Sequence, residues 1–525
     1  MLDEKSQRYD RQLRLWGTKG QSSLENARIC VINANATSTE TLKNLVLPGV
    51  GHFTIVDNAK ITSRDLGTNF FITSDSIGKP RAEITKDLLL KHNPNVIGEA
   101  VVEDPRALIN EKIEFFEKFT LIIVSKLERP LLVKLAKKCW DLSIPLISIK
   151  SVGFIGYLRI ISPEHTVIET KPENPPFDFR INDPFPSLLE HCNSIKMEEL
   201  DEEYRAHVPY VIILVKAIQD WKQKHDGKLP KTRDEQNEFK KAVYSFKLRN
   251  EEYNVDEAFA NAYKAWAEYS IPSDTQQIID DEKCNQMNEK TTPFWVLARA
   301  VRDFVKEEGK GYLPLLGTIP DMTADTNSFL ALQKVYKDQA NREIDIIQKK
   351  VVELLEKIGK KPESIEREYI ELFCKNVMNL QMFRFGSLAE ELDPKKSKIS
   401  RYDFEMESEG STATFYLYLQ SSEIFNEKYG RYPGENTKEW EKDVPLLKEI
   451  TLQYSKEFGL PETVVRDAES TEFCRYGNCE LHNIAAIIGG ITAQESIKLL
   501  TSQLPSLDNT FIFNGTQCSG LKLKI

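Results

Sequence analysis

Residues 27–57, ARICVINANATSTETLKNLVLPGVGHFTIVD, restrict the fold more than any other stretch of the chain. Ile29, Cys30, Val31 and Ile32 form a short apolar run of the kind that fills a buried strand. Leu42, Leu45 and Val46 then recur at helical spacing within residues 37–47, and Pro48-Gly49 stops that helix. Phe53, Thr54, Ile55 and Val56 read as a second strand, which Asp57 closes. A strand, a tight turn, a helix and a strand ending in an acid make the opening β-α-β of a nucleotide-binding α/β fold. The turn itself, Asn33-Ala34-Asn35-Ala36-Thr37-Ser38, holds no glycine. A phosphate must approach bare backbone at the helix N-terminus, and each added Cβ intrudes where its oxygens would lie. The chain carries the frame of a nucleotide site without its phosphate cradle.

At 525 residues the chain should hold two or three domains. A net charge of −10 argues against nucleic acid as the main partner. No apolar run approaches the roughly 20 residues of a membrane span, and the start, MLDEKSQRYDRQ, lacks a signal-peptide core. The eight cysteines include no CxxC pair, and the closest two, Cys474 and Cys479, cannot complete a tetrahedral zinc site. No metal site is expected, and a reducing compartment, the cytoplasm with the nucleus as a second location, is the expectation.

Ahead of the frame, QRYDRQLRLWG (residues 7–17) sets Arg8, Arg11 and Arg14 at every third position beside Tyr9, Leu13, Leu15 and Trp16. Two readings fit: an amphipathic helical turn with a solvated basic face, or an arginine delivered to a polyphosphate. After Asp57 the spacing predicts a helix from Pro80 to Leu90, strands within 96–102 and 119–124, a helix over 130–139 and a strand over 144–149. Gly153 and Gly156 punctuate a turn before β character resumes at 157–161. Residues 1–165 thus alternate β and α, as a mostly parallel sheet with helices on both faces requires. Residues 172–186 are proline-rich and extended, and from there to 470 the helical period dominates. Pro293 opens one amphipathic helix, and Asp325 caps a long one that runs to Ile358, with Gly359 as its stop. Further helices are expected at 209–226, 233–248, 255–269, 414–428 and 438–458.

A glycine, any residue, Leu or Tyr, then proline recurs in HDGKLPKT, GKGYLPLL and YGRYPGEN, each after an expected helix. This is helix-stop chemistry used repeatedly, with no claim of a duplication. From 471 the first texture returns. A helix with Ala485, Ala486, Gly489, Gly490 and Ala493 can pack closely, and strands close the chain at 510–513 and 521–524. The expected organisation is an α/β domain split into 1–165 and 471–525 by a helical insertion, 166–470.

RYDRQLRLWG, NLVLPGVGHFTIVD, DLGTNFF, SIGKPRAE, GFIGYLRI, FCRYGNCELHN and GGITAQESIK together resemble the activating enzymes of ubiquitin-like proteins. Those enzymes share their adenylation fold with the bacterial MoeB and ThiF proteins. The implied fold class is α/β, a Rossmann-like ThiF/MoeB adenylation fold split by a large, mostly helical insertion. GTIPDMTAD (317–325) and GRYPG (430–434) make the central block similar to one branch of the family. That branch is the regulatory, amyloid-precursor-protein-binding subunits of heterodimeric neddylation activating enzymes.

The resemblance gives the missing glycines a meaning. Active members carry a GxGGxG-like turn where this chain has Asn33, Asn35, Ala36 and Ser38. Their DLNRQF-like motif lends an arginine to the ATP phosphates, and the matching stretch, residues 65–70, has Thr68 in its place. A lysine expected after Pro80 is Arg81, and the magnesium-binding acid after FTLIIV falls near Glu128. The chain is therefore expected to bind no cofactor itself, with ATP and magnesium held by a catalytic partner. Members with transferase activity place a nucleophilic cysteine before a threonine. None of Cys192, Cys284 and Cys374 precedes one, and Cys284 follows Asp280, Asp281, Glu282 and Lys283, a mainly acidic setting that raises a thiol pKa. All eight cysteines are read as structural or incidental.

What survives is Arg11. By resemblance, the arginine of the YDRQ motif reaches the other half's ATP, so Arg11 would contact the γ-phosphate bound in the partner; a planar, permanently charged guanidinium suits that task. Arg14 is read as supporting its own segment, Arg8 as plain surface, Asp57 as a strand-end cap and His482 as a structural hydrogen-bonding residue. The implied function is that of a non-catalytic regulatory subunit. Its obligate catalytic partner would adenylate the modifier's C-terminus with ATP and take it as a thioester. The ubiquitin-like modifier and the conjugating enzyme are further expected partners, and neither nucleic acid nor a membrane is. Residues 317–340, with Asp321, Asp325 and Leu332, are expected to add contact with the catalytic subunit. The rivals are an autonomous activating enzyme, a SUMO-type regulatory subunit, which lacks so large an insertion, a nicotinamide-dependent oxidoreductase, which needs the glycines, and a pure scaffold.

Overall fold

A computed structural model describes residues 7–170, 177–399, 404 and 412–525. Residues 1–6 and the first part of the expected proline-rich stretch, residues 172–176, lie outside the described residues. The chain divides into two compact units. One is Met1–Val167 with Met382–Ile525, and the other is Ile168–Gln381.

The first unit opens with helix α1 (Asp10–Asn26) and then alternates: β1 (Arg28–Ile32), α2 (Ala36–Val46), β2 (His52–Val56), α3 (Arg81–Leu90), β3 (Ile97–Val101), β4 (Leu121–Ser125), α4 (Arg129–Asp141), β5 (Leu146–Val152) and β6 (Ile155–Ile161). Strands β1 to β5 pair in parallel; β1, β2 and β4 are almost wholly buried, as strands covered on both faces must be, while β3 at the sheet edge is partly exposed. The register sets Ile32 level with Val56 and Val124. The turn at 33–35, Asp57 and Ser125 therefore leave the sheet together at its C-terminal edge, where α/β sheets bind ligands.

The second unit is helical around α5 (Tyr210–Lys224), α6 (Pro293–Lys306) and α7 (Thr326–Lys357). Leu214, Ile218, Phe239, Val255, Leu332 and Tyr336 belong to its core. Asp325 caps α7, its carboxylate accepting from Asn327 N at 2.8 Å and Ser328 N at 3.0 Å. Arg180 is buried against Glu343, 2.8 Å away, and also donates to the carbonyl of Leu313.

The chain then returns to the first unit through α8 (Thr414–Tyr429), α9 (Asp443–Glu457), α10 (Asp467–Tyr476), α11 (His482–Thr501) and a hairpin of β7 (Thr510–Asn514) and β8 (Ser519–Leu523). The hairpin completes an eight-stranded sheet ordered β8-β7-β6-β5-β4-β1-β2-β3. Here the boundary differs from the one expected at 470: the helices after residue 382 pack with the sheet. Leu417, Phe425, Leu447 and Phe473 bury themselves against Val152, Ile155, Tyr157, Ile512 and Leu523. Gly156 also differs. It lies inside β6, where a Cβ would meet Ile488 of α11 at 2.4 Å, so it serves close helix approach, while Gly153 makes the turn. The repeated stop pattern holds as local chemistry, since Gly227, Gly311 and Gly430 all have positive φ, soon after α5, α6 and α8.

Helix α11 is the one described helix long and apolar enough to cross a membrane by length and composition. It packs on α2 so closely that a Cβ at Gly489 would lie 2.7 Å from Glu40 Cβ. His165 is 5% exposed and stacks on Phe383. Burial pushes its pKa down to about 4, Lys498 adding to the shift and a hydrogen bond with Leu504 opposing it. An unfolded histidine titrates near 6.5, so the unfolded chain takes up this proton first as pH falls. The stabilisation is complete above the unfolded pKa and is lost as pH falls towards 4, by ~3 kcal/mol in all. His165→Leu should flatten that loss. Urea midpoints at pH 7 and pH 4.5 measure it, and an undiminished difference in the variant would remove His165 as its source.

Candidate functional site

The C-terminal edge of β1 is where a phosphate would sit, and the chain's own groups fill it. Asn33 has positive φ (68°), and its side chain donates to the carbonyls of Ser125, at 2.8 Å, and Lys126, at 3.1 Å. Asn35 is the N-cap of α2, accepting from Ser38 N. The Ser38 hydroxyl donates back to Asn33 O at 2.5 Å and to Asn35 Oδ1 at 2.6 Å. Ala36, the first residue of α2, is 2% exposed. The turn is thus sewn to itself and to the end of β4.

The decisive group is Glu480, which arrives from the loop between α10 and α11. Its Oε1 accepts from Asn35 Nδ2 at 2.9 Å, Thr37 N at 3.3 Å and Thr37 Oγ1 at 2.7 Å, and Ser151 Oγ lies 3.4 Å away. Its other oxygen faces Lys126 Nζ at 3.3 Å. Glu480 is 7% exposed. The first backbone N–H groups of a helix favour an anion, and here a carboxylate of the same chain supplies it.

Asp57 is fully buried and spent. Its carboxylate accepts from Ala34 N at 2.9 Å, Ala59 N at 2.8 Å and Arg81 Nε at 2.7 Å. It is more than the strand-end cap expected, since it ties β2 to the turn and to α3. Arg81 also reaches Asp65 at 3.3 Å. Burial pushes the Asp65 carboxyl up, but hydrogen bonds from Thr62 and the charge of Arg81 outweigh it and hold the pKa below the usual value. Thr68 is half-buried, its hydroxyl 3.5 Å from the carbonyl of Arg64. Its own carbonyl meets His482 Nδ1 at 3.0 Å, which gives that histidine the structural role expected. Glu128 is not brought to the turn: it pairs with Arg106 at the surface, and Ser125 and Lys126 stand at the strand end instead.

Arg11 lies on the N-terminal half of α1, which kinks at Gly17. Its side chain is 84% exposed and 3.8 Å from Asp10. Two residues earlier Tyr9 is buried, its hydroxyl accepting from Asn93 Nδ2 at 2.9 Å. Arg14 pairs with Asp10 across one helical turn at 3.2 Å. Arg8 is at the surface, as expected, and donates to the carbonyl of His92 at 2.5 Å. The arm is tied down before the projecting Arg11 by Arg8 and Tyr9, and after it by Gln503, whose side chain donates to the carbonyl of Trp16 at 3.0 Å.

The other expected contacts fare differently. Leu332 is fully buried in the second unit's own core, so it presents nothing to a partner, and Asp325 is committed to its cap. Asp321 accepts from Met322 N. The thiol of Cys284 is pushed up to about 11 by burial; Arg302 comes next and lowers it, and of the acidic residues expected to raise it only Asp281 contributes, behind Arg302. Burial likewise lifts Cys192 to about 12 and raises Cys374. A thiol held there forms almost no thiolate at neutral pH. Among the described residues no cluster of three His, Cys, Asp or Glu is placed to hold a metal ion. A hollow of about 690 Å³ in the second unit is lined by Trp221, His225 and Phe246.

This fold, a parallel α/β sheet closed by an antiparallel hairpin with its ligand edge at β1, defines the class: the ThiF family model matches residues 9–522. Along its length the chain is similar to three proteins named NEDD8-activating enzyme E1 regulatory subunit. The one from Xenopus laevis is 42% identical over 97% of this chain and 97% of that protein. The one from Danio rerio is 40% identical over 97% of each, and the one from Gallus gallus 40% identical over 97% of this chain and 96% of its own. The chain belongs to the family of NEDD8-activating enzyme regulatory subunits.

Proposed function

We propose that this chain is the non-catalytic half of a heterodimeric activating enzyme for a NEDD8-type modifier, and that Arg11 completes the ATP site of the catalytic half. The partner would hold ATP and magnesium, join the modifier's C-terminal carboxylate to AMP with release of pyrophosphate, and pass the modifier to its own cysteine. The observation that carries the reading is the contrast between the two arginine-bearing regions. Arg81, beside the chain's own nucleotide frame, is locked to Asp57 and Asp65, whereas Arg11 projects from an anchored arm with its side chain 84% exposed. A guanidinium projecting from an anchored backbone offers planar, bidentate donation to a phosphate on another molecule. The chain's own cradle, filled by Glu480, binds no nucleotide in this reading.

The test is modifier-dependent ATP–pyrophosphate exchange with this chain alone, the catalytic subunit alone, and the two mixed. Exchange is expected only in the mixture, and Arg11→Ala should lower it by about tenfold or more without loss of association. Arg64→Ala, an exposed arginine off the arm, should leave it unchanged. Exchange by this chain alone would return the autonomous-enzyme reading. An Arg11→Ala mixture as active as the wild type would leave only a scaffold.

A further inference from the structure

We infer that the hollow in the second unit docks a basic, apolar segment of another protein, one that seats an apolar side chain on the floor and an arginine or lysine at the rim. The hollow measures about 690 Å³, a volume typical of pockets that take ligands. It is no part of the nucleotide frame, so the inference stands apart from the role of Arg11. Its floor is apolar: Met197 and Ala217 are buried, Trp221 is 5% exposed and Phe246 is half-buried. At the rim Leu248 is 71% exposed, a large apolar side chain left in water beside a concave surface. Apolar lining alone would take many partners, and the charges choose among them. Two of the lining cations are spent. Arg205 donates to Glu252 at 2.9 Å and to the carbonyls of Met197, at 2.8 Å, and Phe246, at 2.5 Å. Arg249 is paired with both carboxylate oxygens of Glu202. The exposed carboxylates of Glu198, Asp220 and Glu238 have no partner among the described residues, and Lys224 is the one unpaired lysine or arginine in the lining to set against them. His225 stacks on Trp221 with ring centroids 3.7 Å apart, and its Nδ1 lies 2.9 Å from the Trp221 carbonyl. In the neutral ring Nδ1 therefore carries the proton and Nε2 is left to accept. The unspent groups are mainly acceptors, and the occupant they fit brings donors and positive charge on apolar stems. An acidic segment or a nucleic acid would instead meet three like charges.

The probe is a fluorescein-labelled amphipathic peptide of leucine, alanine and arginine, about 15 residues long, titrated with the full chain and followed by anisotropy. The arginine peptide is expected to bind, and the same peptide with glutamate for arginine to bind at least about tenfold more weakly. The chain carries a net charge of −10, so bulk attraction has to be separated from the site. The double variant Asp220→Lys, Glu238→Lys should weaken binding by about tenfold or more. Glu111→Lys, Glu441→Lys changes the net charge equally at exposed positions of the first unit and should weaken it by less than about twofold. Ala242→Arg sets a cation at an exposed position of the lining without removing an acid, and should also weaken binding. Melting curves establish that each variant is folded, and if the Asp220, Glu238 variant is not, Ala242→Arg decides. No binding of the arginine peptide overturns the inference. Equal weakening by the two double variants overturns it as well, since attraction would then be to the whole chain, and so does undiminished binding by Ala242→Arg.

Discussion

Glu391→Ala is expected to lower the stability of the sheet-bearing unit by about 3–5 kcal/mol, because it strands a charge in the interior. Arg159 of β6 and Glu391 are both fully buried, with Nε 2.7 Å from Oε2. The guanidinium also donates to the carbonyls of Ile160 and, at 3.2 Å, Gly386, and Glu391 accepts from the Tyr416 hydroxyl at 2.8 Å. This network pins the returning chain and α8 to the sheet. Removing the carboxylate leaves two carbonyls to hold a positive charge out of water. The double variant Arg159→Met, Glu391→Leu should recover most of the loss, since it buries no charge at all. Urea unfolding reads both. A single variant within about 0.5 kcal/mol of the wild type would mean that water reaches the pair.

The second large effect is expected at Gly434. Its φ is +73°, and a Cβ there would lie 1.6 Å from the carbonyl oxygen of Cys474 in α10. Its N–H donates to Asp443, which also holds Arg431, so the loop is clamped between α9 and α10. Gly434→Ala combines left-handed backbone strain with backbone overlap, together about 3 kcal/mol or more. Gly430 is the control. Its φ is +69°, but nothing lies within 4 Å of its Cβ position. Gly430→Ala should cost only the conformational part, about 1–2 kcal/mol. Equal losses at the two positions would show that strain alone matters and the close approach does not.

The two glycines stand in one short motif, GRYPG, in which the sequence marked Gly430 as a helix stop and gave Gly434 no role. Gly430 ends a helix whose period was visible, so its role was legible. Gly434 answers to Cys474, 40 positions away in sequence, and no local pattern announces such a neighbour. The same division runs through the candidate site. The absence of glycine at 33–38 and the strands on either side were readable, because strand and helix periods and turn chemistry act over a few residues. Glu480 was not, although it stood inside a quoted motif. Its partner Asn35 is 445 residues away, and a carboxylate becomes a ligand only when the fold points it at a helix N-terminus.

By itself the sequence determined that a β-α-β frame opens the chain, that a phosphate lacks bare backbone in its turn, that α7 starts at an Asp325 cap, and that an arginine-rich arm precedes the sheet. These follow from short-range sterics, hydrogen bonding and apolar periodicity. The tertiary structure alone decided that the helices after residue 382 belong to the sheet, that Leu332 is core rather than contact surface, that Arg81 is locked while Arg11 projects, and that Glu480 fills the cradle. An amphipathic helix has the same period whatever it packs against, and a charged side chain looks the same in sequence whether solvent or a buried counter-charge receives it. Which surface meets which is settled by long-range packing, where the choice between burying and exposing each group is made.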